Sequence, residues 1–201
     1  MTNLSLASQS RQVEFPVNPI FPNRWSPRAM SAEPIAPETL NILLEAARWA
    51  PSANNGQPWR FAYAFRNTET FSKYFDLLVP GNQVWCKHAG ILMIIASQID
   101  FAATERHPAQ LNRSHSFDAG AAWMNLALQG SMLGLVVHGM GGFDISKAGE
   151  VAQLPAGYLI EAMCAIGYPD SPESLPESLR SREIPTPRNP ISKFAAEGFF
   201  P

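Results

Sequence analysis

The chain has 201 residues, 46% of them apolar and 16% charged, with a net charge of −2. That length fits one domain with a sizeable core, and the slight negative balance argues against nucleic acid as the main ligand. Few charges for so large a surface point to a face covered by a partner. Residues 1–22 read as an extended arm, held open by Pro16, Pro19 and Pro22, with residues 23–201 as a single domain behind it. The stretch from Met1 to Gln12 is polar and Ser-rich, which is unlike a secretory signal. Arg24-Trp25-Ser26-Pro27-Arg28 follows. Ser26 before Pro27 predicts a helix N-cap with proline at the first helical position. Two arginines beside helix-start N–H groups would suit a phosphate; a solvated basic turn is the alternative.

Leu40, Leu43, Leu44 and Ala47 recur at helical spacing and predict a helix over 37–50. Glu38 in its first turn and Arg48 in its last complement the dipole, and Pro51 stops it. A turn follows in which Ser52, Asn54, Asn55 and Gln57 offer one hydroxyl and three amides. A charge-free loop of donors and acceptors can match the edge of a neutral polar heterocycle. Equally, these amides could only satisfy their own backbone at a helix–turn–strand corner. Trp59, Phe61, Tyr63 and Phe65 alternate and predict a strand. Thr70 to Leu78 reads as a short helix, and Pro80 to Trp85 as a turn entering another, with Asn82 as a turn former.

Ile91 to Ile99 is apolar and β-branched, the pattern of a buried central strand. Its run from Ile91 to Ala96 is the longest apolar stretch, far below the ~20 residues that cross a bilayer, so a soluble, cytoplasmic protein is expected. Phe101 to Ser116 has no period and reads as a mobile loop. Phe117 to Leu133 is a helix with two apolar stripes, Phe117, Ala121, Met124 and Leu128 on one, Ala122, Leu126 and Leu133 on the other. A helix apolar nearly all round is buried, either within a monomer or at a subunit interface. Gly134 to Asp144 starts as a strand and ends in a glycine turn at Gly141-Gly142, where backbone can approach a ligand. Tyr158 to Tyr168 is a further strand. Pro169 to Pro190 holds six of the 18 prolines and reads as extended and irregular.

The usual catalysts are missing. The chain has no GxSxG elbow, no Walker sequence and no HExxH. His88, His107, His115 and His138 lack metal-ligand spacing, and each reads as a surface or internally satisfied residue. Cys86 and Cys164 form no CxxC pair, which gives no disulfide framework and points to a reducing compartment.

The run from Ala47 to Phe61, Ala-Arg-Trp-Ala-Pro-Ser-Ala-Asn-Asn-Gly-Gln-Pro-Trp-Arg-Phe, resembles the signature of the nitroreductase family of flavin enzymes. Three further motifs agree with it in order. Arg24, Ser26 and Arg28, around Trp25, resemble the element that holds the FMN phosphate and ribityl chain. Gly141 and Gly142 match the turn whose N–H groups meet the flavin ring, and Arg188 matches a basic residue of the tail that meets the phosphate. Another basic position of the family is Thr186 here, and an acidic one is Gly141. The resemblance also implies Asn82 on the pyrimidine edge of the flavin, and Pro51, Ser52, Ala53, Asn55 and Gln57 around the ring. It implies an α+β fold with a mostly antiparallel sheet flanked by helices, and an intertwined homodimer with two FMN sites built from both subunits. Its activity would be ping-pong hydride transfer from NADH or NADPH to nitroaromatic, quinone or related small-molecule acceptors. Flavin N5 would carry that chemistry, with no metal and no membrane. Enone reduction, reductive dehalogenation, flavin fragmentation and a non-catalytic flavin-binding role are the alternatives.

Overall fold

The computed structural model describes residues 11–201 except 102, 104, 106 and 107. A four-stranded antiparallel sheet forms the middle, in the order β1 (Trp59–Phe65), β2 (Ile91–Gln98), β6 (Tyr158–Gly167), β5 (Val136–Met140). β2 is buried along nearly its whole length, as its continuous apolar run requires of an inner strand. Its residues alternate between two cores. Leu92 and Ile94 face one that includes Phe71, Tyr74, Trp85, Met140 and Phe143. Ile91, Met93 and Ile95 face the other, with Leu40, Leu43, Ala47, Ala122 and Leu126. The expected strand alternation in β1 holds, with Trp59, Phe61 and Phe65 joining the second core and Ala62 and Ala64 the first. The result is an α+β architecture with helices on both faces of the sheet.

The helices of the first face are α3 (Glu69–Phe75), α4 (Pro80–Cys86) and α6 (Ile145–Val151). Thr68 and Asp144 cap α3 and α6, each accepting a backbone N–H two or three residues into the helix. The second face carries α2 (Pro37–Arg48) and α5 (His115–Met132). The described residues add α1 (Ile20–Asn23) before them and α7 (Glu177–Arg180) after them. α2 starts at Pro37 as expected and ends two residues early, at Arg48.

Six expectations need correction. The arm is not wholly extended, because Pro19 holds helical angles and starts α1, where Pro22 sits in a turn that needs no N–H from it; residues 1–10 lie outside the described residues. No helix begins at Pro27, and residues 24–29 have no regular secondary structure. Asn82 is not in a turn but inside α4. The stretch 101–116 carries a short ladder, β3 (Asp100–Phe101) with β4 (Gln110–Leu111), and α5 already starts at His115. Asn112 organises that junction, since it is buried, donates its N–H to Ile99 O and accepts the Ser114 N–H on Oδ1. His107 and the expected mobility at 102, 104, 106 and 107 lie outside the described residues. Finally, Pro169 to Pro190 is not irregular throughout, for it includes a 3-10 turn at Pro172–Ser174 and α7.

α5 is not buried all round either. Ala122 and Leu126 are sealed in the second core, but Phe117 is 82% exposed and Met132 62%. Ala121, Met124 and Leu128 are half-buried between these two exposed ends. One stripe packs within the chain as far as Leu126, with Leu133 exposed, and the other is open at Phe117 and half-buried beyond it. Where α5 meets β5, a Cβ on Gly130 would sit 2.6 Å from Val137 Cγ2. Val137 is a stiff β-branched neighbour, so Gly130→Ala should cost about 1–3 kcal/mol by overpacking. Equilibrium urea denaturation would show it, and an unchanged midpoint would mean that α5 can lift from the sheet freely.

Both cysteines are free and sealed in the core. Cys86 Sγ lies 3.3 Å from Met140 Sδ. Burial raises both thiols, Cys164 to about 12.

Candidate active site

The first group of candidate residues surrounds the irregular segment 24–29. Glu183 in the tail reaches it, its side chain fully buried, and its Oε1 accepts the backbone N–H of Arg28 and, at 2.8 Å, of Ala29. Those are the N–H groups that a helix starting at Pro27 would have left for Ser26 to cap. A buried carboxylate satisfies them instead, which is why the predicted cap does not form. Its Oε2 stands 3.6 Å from Arg28 Nη1, an ion-pair distance. Trp25 and Pro27 are buried beside Ala127 and Ser131 of α5 and fix the direction of the segment. Arg24 Nη1 donates to Ser26 Oγ at 3.3 Å.

Arg24 and Arg188 come together, as the family resemblance implies, and Arg11 joins them. Burial lowers the affinity of Arg11 and Arg24 for their protons, and the charge of Arg188 lowers both further. None of these three arginines forms an ion pair among the described residues. Three guanidiniums without a carboxylate make a site for a multiply charged anion. Arg28, by contrast, already has Glu183.

The glycine turn lies at the end of β5. Asn82 Nδ2 donates to Gly142 O at 3.0 Å. A Cβ on Gly142 would meet that nitrogen at 2.8 Å and Val79 Cγ2 at 2.9 Å, so the close approach here is made by the chain itself. Gly141 is different: it is exposed, and a Cβ there would meet nothing. Gly141 therefore leaves open space over the turn, while Asn82 holds the turn in place.

His138 sits between these groups. Its Nδ1 lies 2.9 Å from Pro27 O, and its ring is 4.5 Å from that of Trp85. A carbonyl can only accept, so Nδ1 carries the proton. Burial, with smaller effects of Arg28 and Arg24, holds the imidazole down to about 4 against the opposing bond to Pro27. An unfolded chain would protonate this ring below about 6.5, and the folded chain resists doing so. The stability it lends is thus complete above that pH and is lost as pH falls toward 4, by up to about 3 kcal/mol. His138→Phe should flatten the urea midpoint between pH 7.5 and 5, whereas an acid loss as steep as that of the parent chain would assign it to other groups.

The second group is the turn after α2. Ser52 Oγ accepts the Gln57 N–H at 3.0 Å, and Gln57 Nε2 donates to Asn55 O at 3.1 Å. Ser52 and Gln57 therefore do satisfy their own backbone. Asn54 and Asn55 are exposed, with no side-chain partner among the described residues. Asn54, Asn55 and Gln57 all hold φ near +50°, a conformation that costs a non-glycine residue energy and is kept only where the surroundings impose it. Part of that imposition comes from Asp118, buried in the first turn of α5, whose Oδ2 accepts the Ala53 N–H at 3.0 Å. The Phe101 ring closes over Gly56.

The two groups do not meet within one chain. Arg24 and Trp25 lie against Ala127 and Ser131 of α5, while Ala53 is tied to Asp118. Nine to thirteen helical residues separate those points, or ~14–20 Å. Asn82 and the glycine turn pack with the first core, whereas Ala50 and Trp59, flanking the turn after α2, belong to the second.

The family model described as "Nitroreductase family" matches residues 22–84. A solved structure of an oxidoreductase containing FMN is 43% identical, with a TM-score of 0.91, over 95% of this chain and 96% of that one. The chain belongs to the nitroreductase family. A curated relative from Rhodopseudomonas palustris (strain TIE-1), whose name groups it with NADH dehydrogenase/NAD(P)H nitroreductases, is 28% identical over 80% of this chain and 89% of its own length. A nitroreductase-type structure from Desulfovibrio desulfuricans, solved with FMN, shares the fold at a TM-score of 0.69 and 23% identity, covering 94% of this chain and all of that one.

In this nitroreductase-family chain, sequence reasoning missed Arg11, Asp118 and Glu183. Each acts through a contact distant in sequence, to Thr186, Ala53 and Arg28 respectively, and no local pattern marks it. His115 is internally satisfied, as expected: its Nδ1 is 2.7 Å from Ser97 Oγ, whose hydroxyl donates to Glu161. Among the described residues no helix is long and apolar enough to cross a membrane, and no three His, Cys, Asp or Glu side chains converge as a metal site.

Proposed function

We propose that this chain is an FMN-dependent oxidoreductase that passes hydride from NADH or NADPH to nitroaromatic, quinone or related acceptors. The observation that carries this reading is the split of the site: an anion clamp beside a glycine turn, and a polar turn ~14–20 Å away, each well built and neither sufficient. A homodimer completes it, with the Pro51, Ser52, Ala53, Asn55 and Gln57 turn of one subunit brought to the clamp of the other. The open stripe of α5 from Phe117 to Met132 supplies apolar surface for that contact, and the exposed tail with Phe194, Phe199 and Phe200 can embrace the partner. In this reading 23–201 is one flavin-binding domain, 1–22 is an appended arm, and the protein works in the cytoplasm.

The residues fit the cofactor. Arg24, Ser26 and Arg188 would hold the phosphate and ribityl end, and Arg28 would join them while keeping its ion pair with Glu183, with Trp25 fixing their segment. Asn82 would meet the pyrimidine edge, and the open backbone at Gly141, steadied by Gly142, the ring. FMN, once bound, supplies the hydride chemistry at N5, so the chain needs no catalytic side chain and no metal. What the residues contribute is position, hydrogen bonds and exclusion of water.

Nucleotide and acceptor would use the same opening in turn, because both must approach one ring face within ~3.5 Å. Double-reciprocal plots at several acceptor concentrations should be parallel, and intersecting lines would overturn the ping-pong scheme. Cofactor extraction should release FMN. FAD in the extract, or no flavin bound after reconstitution, would overturn the cofactor, and a flavin-loaded monomer in sedimentation would overturn the composite site.

A further inference from the structure

We propose that Arg11, carried on the N-terminal arm, is a phosphate-binding residue of the flavin site and sets its preference for a phosphorylated over an unphosphorylated flavin. The inference rests on the FMN reading above. Arg11 is held by three main-chain carbonyls. Its Nε donates to Thr186 O at 2.9 Å, and its Nη1 to Pro22 O at 2.9 Å and to Arg24 O at 3.0 Å. Arg188 Nη1 donates to the same Thr186 oxygen at 3.3 Å. Two guanidiniums therefore share one carbonyl, and one of them is also fastened to the main chain of Arg24.

Those bonds use the Nε–H and both Nη1 hydrogens. The two Nη2 donors have no partner among the described residues. The acid nearest in sequence, Glu14, forms no ion pair with Arg11 among the described residues, and its Oε2 accepts the Ile191 N–H at 3.0 Å. The chain thus spends three hydrogen bonds to hold a cation against two others, an arrangement that repels itself until an anion arrives. Burial first, and after it the charge of Arg188, depress the proton affinities of Arg11 and Arg24. A terminal phosphomonoester brings nearly two negative charges and three acceptor oxygens, which is what three forked donors can share. Thr186 has no charge to offer, and Arg11, bonded to its main-chain oxygen, brings a charge to that part of the tail. A flavin that ends in a hydroxyl would gain almost nothing from the cluster.

The test is a fluorescence titration of the full chain, freed of flavin, with FMN and with riboflavin. Wild type should bind FMN the more tightly. Arg11→Ala should weaken FMN binding about ten- to a hundredfold, the scale of one charge-assisted contact, and change riboflavin binding less than about threefold. Arg11→Gln keeps an amide donor near the place of Nε and removes the charge with the rest of the fork, so it should lose the same preference. Arg11→Ala with Thr186→Lys should recover most of it. If FMN and riboflavin affinities fall together, or the lysine fails to restore the preference, Arg11 is only a strut and the proposal is overturned while FMN stands. If wild type shows no preference for FMN, the proposal falls together with the cofactor reading.

Discussion

Glu183→Ala should cost about 3–5 kcal/mol of stability, the range for removing one member of a buried charged pair. The carboxylate is completely enclosed, and its loss strands the buried N–H of Ala29, the part-buried N–H of Arg28 and the Arg28 guanidinium. Each is a separate penalty, because a buried donor without an acceptor has given up water for nothing. Glu183→Gln keeps an oxygen for the two N–H groups and removes the charge, so it should cost clearly less. Urea denaturation of both variants checks the order. If alanine and glutamine are equally damaging, the charge is what matters and the backbone bonds are incidental. If alanine costs less than about 1 kcal/mol, the tail is not anchored where the structure puts it.

The second large effect is functional. A chain with Arg24→Ala loses a clamp arginine, and a chain with Ser52→Ala and Asn55→Ala loses the polar turn. Each homodimer would hold two damaged sites. After the two are unfolded and refolded as a mixture, half of the dimers would be mixed, and each of these would hold one intact and one doubly damaged site. Reductase activity should rise from near zero to about a quarter of wild type. A mixture no more active than its components would show that both groups act within a single chain.

The sequence-level reading succeeded where the signal is periodic or local. β2 could be read because an inner strand must be apolar on both faces, and α2 because its stripe at Leu40, Leu43 and Ala47 repeats at helical spacing. The stretch 24–28, the amide turn and the glycine turn could be singled out as motifs because each is contiguous, whereas Arg188 came only from the family resemblance. Failures arose where a distant group overrides a local preference. Ser26-Pro27 has the composition of a helix start, but the Glu183 carboxylate takes the N–H groups that would have made it one. The tail reads as loose from its prolines, yet Leu175, Glu183 and Pro185 bury it against the body. Arg11 looks like any cation in a polar arm until the fold brings Thr186 beneath it.

The two sealed thiols also give the molecule a built-in clock. Cys86 and Cys164 lie in different cores, one on each side of the sheet, with no exposed surface. A thiol reagent reacts only with thiolate it can reach, and burial denies both conditions. Labelling of the native chain must therefore wait for an opening, and the two sulfurs report openings of opposite faces. Equal labelling rates would mark the whole chain opening as one unit, whereas unequal rates would show which face loosens first.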